Sequence, residues 1–150
     1  MSLGLKMTSG NIIVSFLSSN SPQSKILVAD DSRINRLLLS KVLALANVDI
    51  QEVKNGLEAV EVWRSWQPDL IFMDLLMPEM TGEVAIEKIR QAPQGGKVII
   101  IACTASLQMA ENQDIDVFGA DYVLRKPFRT EEIFALLRKY LKVTAIHSKV

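Results

Sequence analysis

Three runs of this chain, KILVA (25–29), DLIFM (69–73) and KVIIIAC (97–103), are apolar almost without interruption, and each stops at a polar side chain. Runs so short and continuous fit strands buried on both faces; a strand with one wet face would alternate. Two more strands are expected: VDIQEV (48–53), which does alternate and belongs at an edge, and DYVL (121–124). Between the strands lie segments with helical spacing at 32–46, 55–67, 81–91, 105–118 and 129–141. In the first, Ser32 is the expected N-cap, and Ile34, Leu37, Leu38, Val42 and Leu45 fall at helical spacing. The fourth is weaker, because Asn112, Gln113 and Asp114 lower its propensity. Pro68 closes the second helix, APQGG (92–96) breaks the third, and Arg129 or Thr130 opens the last.

Five strands alternating with five helices predict an α/β fold with a parallel sheet covered on both faces. Right-handed crossovers leave few strand orders, and a flavodoxin-like, doubly wound 2-1-3-4-5 order fits best. The regular pattern occupies residues 25–142 of 150, one domain. Residues 1–24 have the character of a leader or linker: SSNSPQS (18–24) is a Ser/Asn/Pro cluster, and NIIVSFL (11–17) suits a short strand left from an upstream domain. Residues 143–150 are a tail. With 17 basic residues against 17 acidic ones the formal net charge is zero, which argues against a nucleic-acid or membrane-surface binder. One cysteine, Cys103, and no run approaching 18 apolar residues point to a soluble protein of a reducing compartment, the cytoplasm.

In open parallel sheets function collects at the carboxyl ends of the strands. Here those ends deliver Asp30 and Asp31 from the first strand, Asp74 from the third, Thr104 from the fourth and Lys126 just past the fifth. Each alone reads as a turn former, a cap or an exposed group; all five at one edge read as a site. Three carboxylates held together repel, and a hard divalent cation removes that penalty, with Mg2+ the best match to oxygen ligands and retained waters. A site with Mg2+, a fixed ammonium and a hydroxyl suits an anion with several oxygens, such as a phosphoryl group. A carboxylate can itself take that group as an aspartyl-phosphate.

These motifs resemble the receiver domain of two-component response regulators. ILVADDS is similar to the family's acidic-pair strand, MDLLMPEMTG to its phosphoacceptor loop, ACTAS to the segment with the switch hydroxyl, and RKPF to the lysine and its proline. The resemblance covers about Lys25 to Leu141. It implies that Asp74 is phosphorylated, that Asp31 binds Mg2+ directly and Asp30 mainly through water, and that the backbone carbonyl of Leu76 is a further ligand. It also implies that Lys126 pairs with the acceptor and then with the phosphoryl group, and that Thr104 swings toward a phosphoryl oxygen. Pro78 and Gly82 would shape the loop after the acceptor, and the Lys126–Pro127 peptide would be cis. The implied phosphodonor is a histidine kinase or a histidine phosphotransfer domain, with no direct nucleic-acid or membrane contact and an open oligomeric state. DDSRINRLLL is also similar to receivers at the end of hybrid sensor histidine kinases, so that context and a single-domain regulator both stay open. The terminal VTAIHSKV is too short for an output domain.

Two departures from the family stand out. Receivers commonly place Tyr or Phe three residues before the lysine; here that position is Val123, with Tyr122 expected on the opposite face. At the variable positions beside the site stand Leu76 and Ser106. An apolar Leu76 cannot orient an attacking water, so a long-lived phosphoryl group is expected. The region expected to change on phosphorylation is roughly 105–140. Competing readings are a docking-only receiver, an aspartyl-phosphate hydrolase of the haloacid dehalogenase type, and an FMN carrier. The hydrolase needs a spaced Asp-x-Asp after the first strand, and the carrier a Ser/Thr/Gly-rich loop where DDSRINR stands. Among the remaining residues, Trp63 and Cys103 read as core, Trp66 as a candidate partner patch, Met77 as near the site mouth, and His147 as solvated.

Overall fold

The computed structural model describes residues 23–111 and 118–143, together with the backbone of two short antiparallel strands, Lys6–Thr8 and Asn11–Ile13. The strand expected within 11–17 is therefore present over its first residues and pairs with one before it. The main sheet has five parallel strands: β1 (Lys25–Ala29), β2 (Asp49–Val53), β3 (Leu70–Asp74), β4 (Ile99–Thr104) and β5 (Tyr122–Arg125). Their order is 2-1-3-4-5, as expected. The helices are α1 (Arg33–Leu43, extended by a 3-10 turn at Ala44–Ala46), α2 (Gly56–Trp66), α3 (Gly82–Gln91), α4 (Leu107–Glu111) and α5 (Thr130–Leu141).

Strand alternation divides the core in two. Leu27, Ala29, Ile71, Met73, Ile100, Ala102 and Val123 pack under α2 and α3. Ile26, Val28, Leu70, Phe72, Ile101, Cys103 and Leu124 pack under α1 and α5. The burial of β3 along its whole length explains its unbroken apolar run. Trp63 is buried as expected. Trp66 is half-buried against the same cluster, with the Lys25 Nζ 5.6 Å from the centre of its ring, so it is no open patch.

The expected apolar stripe of α1 is not the one buried. Leu39, Leu43 and Ala46 face the sheet, whereas Ile34, Leu37 and Leu38 are exposed. The helix is apolar at consecutive positions 37–39, so spacing alone admits two phases a single residue apart. Ser32 does cap it, its Oγ accepting from the Asn35 N–H at 3.3 Å. The fourth helix is also corrected: Phe118 stands in a turn at φ 58°, not in a helix. Residues 112–117 of that expected helix lie outside the described residues.

Loops at the carboxyl edge are short and closely seated. The N–H of Gly82 donates to the Leu75 carbonyl at 3.1 Å, and a Cβ on Gly82 would overlap the Asp74 carbonyl. Gly96, by contrast, faces open space. Gly82→Ala should therefore destabilise the domain by about 2 kcal/mol or more, in the range of an overpacked core, while Gly96→Ala changes stability by less than about 1 kcal/mol. Paired urea melts of the two variants check this.

Candidate functional site

The edge is built from the backbone outward. Asp30 follows β1, and each of its polar groups is engaged. Its N–H donates to the Val53 carbonyl at 3.1 Å, and its carbonyl accepts from Arg36 Nη1 at 2.8 Å. Its Oδ1 accepts from the Ser32 N–H at 2.9 Å, and its Oδ2 meets Lys126 Nζ at 2.8 Å. Asp31, the next residue, is exposed. Asp74 is the last residue of β3 and is buried; its Oδ1 accepts from the Leu76 N–H at 3.3 Å and its Oδ2 lies 2.9 Å from Lys126 Nζ.

Thr104 ends β4, also buried, and its Oγ1 accepts from the Ser106 N–H at 3.0 Å. Its carbonyl accepts from the Lys126 N–H at 2.8 Å, which ties the ends of β4 and β5 together. The Lys126–Pro127 peptide is cis.

Burial pushes the Asp74 carboxyl above the ordinary carboxylate range, and Lys126 offsets that only in part, with Asp30 adding repulsion. Burial also works against the charged form of Lys126, but its hydrogen bonds and charge pairing with Asp30 and Asp74 win, and its pKa is raised. The ammonium is thus held charged between two carboxylates. A ligand oxygen from each of Asp30, Asp31 and Asp74 lies within 4.8 Å of the others. Two of these groups are buried and one is exposed, all are hard oxygen donors, and the set fits Mg2+ open to water on one side.

All five side chains expected at the edge are there. Leu76 is 77% exposed at the mouth. Met77, expected near the mouth, instead turns into the core under α2 and α3. Val123 is buried on that same face, and Tyr122 packs on the other, as alternation required. Cys103 is buried, and burial pushes its thiol far up, which keeps it inert. His147 lies outside the described residues.

Sequence reasoning missed Arg36, which bridges the Asp30 carbonyl and Glu52 (Nε to Oε1, 3.3 Å). It also missed Asn55, a buried amide in the loop before α2. The Asn-Gly pair at 55–56 is a turn signal that could have drawn notice to the second.

The model of the response regulator receiver domain matches residues 26–138. The chemotaxis protein CheY of Thermotoga maritima is 33% identical over 119 residues, 79% of this chain and 98% of that protein. CheY of Bacillus subtilis is 31% identical over 118 residues, 78% and 97%. Among solved structures, the receiver domain of a Pseudomonas aeruginosa sensor histidine kinase, with a magnesium ion coordinated in its active-site cleft, aligns with a TM-score of 0.72 at 28% identity, covering 81% of this chain and 99% of that one. A Saccharomyces cerevisiae receiver domain, solved in complex with a histidine phosphotransfer signalling protein, aligns at 0.72 and 28%, covering 82% and 93%.

The electrostatics of Asp74 have a consequence for stability. Its folded pKa is above its unfolded one, so the folded state bears a cost of ionisation that grows as pH rises through the unfolded value toward the folded one. Asp74→Asn removes it. The variant should melt higher than the wild type in metal-free buffer at pH 7, by a few °C for each kcal/mol of that cost, and this difference should shrink as the pH falls toward 4. Thermal scans at several pH values with EDTA check it.

Proposed function

The chain belongs to the response regulator receiver family of two-component phosphorelays, and from that premise we propose that Asp74 takes a phosphoryl group from a phosphohistidine. An O–P bond forms at an Asp74 carboxylate oxygen as the P–N bond breaks, and the electron pair leaves with the imidazole. The single observation that carries this is the Lys126 ammonium, held within 2.9 Å of Asp74 and 2.8 Å of Asp30. It is placed to follow charge from the free carboxylate to the phosphoryl oxygens. Asp30, Asp31 and Asp74, with the Leu76 carbonyl, would hold Mg2+, which neutralises the phosphoryl oxygens when bound. The Thr104 hydroxyl accepts from Ser106 and keeps its own proton to donate to a phosphoryl oxygen. Leu76 offers no polar group to an attacking water, which supports a long-lived phosphoryl group.

The donor side also has a physical basis. The large apolar side chains exposed among the described residues sit on the leading half of α1, the first turns of α2, α3 and α4, and at Leu76. All of these lie at the carboxyl edge, around Asp74. The densest group is on α1: Ile34, Leu37 and Leu38 are 70%, 50% and 57% exposed. Leu38 continues into a groove of about 510 Å3 lined by Val42, Pro127, Phe128 and Ile133, with Lys126 at its edge. An apolar ledge that meets the site suits a protein carrying its phosphohistidine on an apolar helix face. A small phosphodonor would need no such ledge.

In this reading residues 25–142 are the receiver, 1–24 a leader or linker and 143–150 a tail, in the cytoplasm; the parent is a hybrid histidine kinase or a single-domain regulator. A docking-only role leaves the Asp30–Lys126–Asp74 arrangement without a purpose.

Incubation with Mg2+ and acetyl phosphate should add one phosphoryl mass to the wild type and none to Asp74→Asn, and an intact mass followed over time reads its lifetime. No addition to the wild type from either acetyl phosphate or a phosphorylated histidine phosphotransfer domain would sink the proposal. For the ledge, Ile34→Ser/Leu38→Ser should slow transfer from the protein donor by about tenfold or more, roughly the 1.4 kcal/mol of one lost anchor. The same variant should keep the wild-type rate with acetyl phosphate; a wild-type rate from the protein donor, or the same fractional loss with both donors, would discard the ledge.

A further inference from the structure

Four polar or charged side chains are buried among the described residues: Asp30, Asn55, Asp74 and Thr104. Three belong to the site. Asn55, 4% exposed, stands between β2 and α2, and phosphotransfer makes no use of it. Part of its task is plain: its Oδ1 accepts from the Glu58 N–H at 2.8 Å and caps α2. That needs only an acceptor, which serine or aspartate would supply equally well. The amide carries a donor as well, and this Nδ2 lies 3.4 Å from Glu79 Oε2.

Glu79 belongs to the loop that runs from Asp74 to α3, and it sits at φ 64°, a conformation that residues with a side chain adopt rarely. Beside it the Gly56 N–H donates to the Met80 carbonyl at 2.9 Å. A Cβ on Gly56 would overlap the Met80 carbonyl and press on that of Thr81 at 2.8 Å. The Asn55–Gly56 turn therefore grips residues 79–81 from one side, while Gly82 bears on the Asp74 and Leu75 backbone from the other. Leu76 lies between the two grips.

We propose that the Asn55–Gly56 turn is a positioning element for the metal site, which holds the acceptor loop so that the Leu76 carbonyl stays available to Mg2+. The proposal rests on the metal reading given above and adds to it residues that touch neither the ion nor the phosphoryl group.

The test is a calorimetric Mg2+ titration of the unphosphorylated full chain, with a thermal melt of each variant. Asn55→Ser keeps a capping oxygen but cannot reach Glu79; it should bind Mg2+ roughly tenfold more weakly, the scale of a lost supporting contact at a metal site. The exchange Asn55→Asp/Glu79→Gln keeps the pair's charge and returns an amide donor to the contact from the opposite side. It should restore affinity to within about twofold of the wild type, as a re-formed supporting contact would. A role in capping alone, which serine fills equally well, would leave both the melting temperature and the Mg2+ affinity of Asn55→Ser as they were. Should Asn55→Ser fail to fold, the exposed Glu79→Ala removes the same contact and should show the same loss. Wild-type affinity in Asn55→Ser or Glu79→Ala, or an exchange variant no better than Asn55→Ser, overturns the proposal. A wild type that binds no Mg2+ overturns the metal reading beneath it, a distinct result.

Discussion

Lys126 between Asp30 and Asp74 is the contact on which the carboxyl edge depends. Two carboxylates, both buried, repel each other at that edge, and burial adds to the cost of their charge, so the pair needs a cation beside it. The ammonium offsets that cost in part, at 2.8 and 2.9 Å, without closing the site, since Asp31 remains exposed beside it. The rest of the fold can be understood as what it takes to hold three chain segments, distant in sequence, at that spacing. β1 and β3 are adjacent and in register from Ile26–Leu70 to Ala29–Met73, so their next residues emerge side by side. β5 reaches the same edge only through β4, and the Lys126 N–H on the Thr104 carbonyl fixes where it arrives.

Fold and site were legible in the sequence to different depths. The buried strands were clear because only a two-faced sheet explains apolar runs such as LIFM and VIIIAC, and the order followed from handedness. The five polar side chains were clear because each closed or followed a strand. What spacing could not resolve was α1, where Leu37, Leu38 and Leu39 are consecutive and any of them could have led the buried stripe. The choice is made by the tertiary partners: Leu39 and Leu43 meet Ile26, Val28 and Phe72 in one cluster, and Ile34, Leu37 and Leu38 turn outward. Met77 failed for a related reason. Its place next to Pro78 said that it was near the mouth, but not that Leu76 would take the outward position. Long-range polar partners were the least legible. Nothing in the spacing of Arg36 and Glu52, or of Asn55 and Glu79, announces their contacts, which exist only once the loops are closed.

The same tie that positions Lys126 bears on how a phosphoryl group would be read out. Thr104 and Lys126 are joined through the backbone, so a force on the hydroxyl and a force on the ammonium act on one unit, the paired ends of β4 and β5. Beyond it lie Ser106, whose N–H holds the Thr104 hydroxyl and whose Oγ accepts from the Met109 N–H at 3.4 Å at the start of α4. Drawing the hydroxyl toward a phosphoryl oxygen would compete with the Ser106 contact and so act on α4 directly. Val123 cannot add an aromatic swing to this motion, and Tyr122, on the far face, is packed against the α5 side. A ligand shifts a two-state equilibrium only by its differential affinity for the two states, and a shift from 1:99 to 99:1 needs about 5.5 kcal/mol. A charge-assisted hydrogen bond is worth about 1.5–3 kcal/mol, so neither Thr104 nor Lys126 would supply that alone. Their shared backbone bond would let the two contributions act on the same element, and that would make the backbone joint between β4 and β5, rather than a ring, the natural carrier of such a switch.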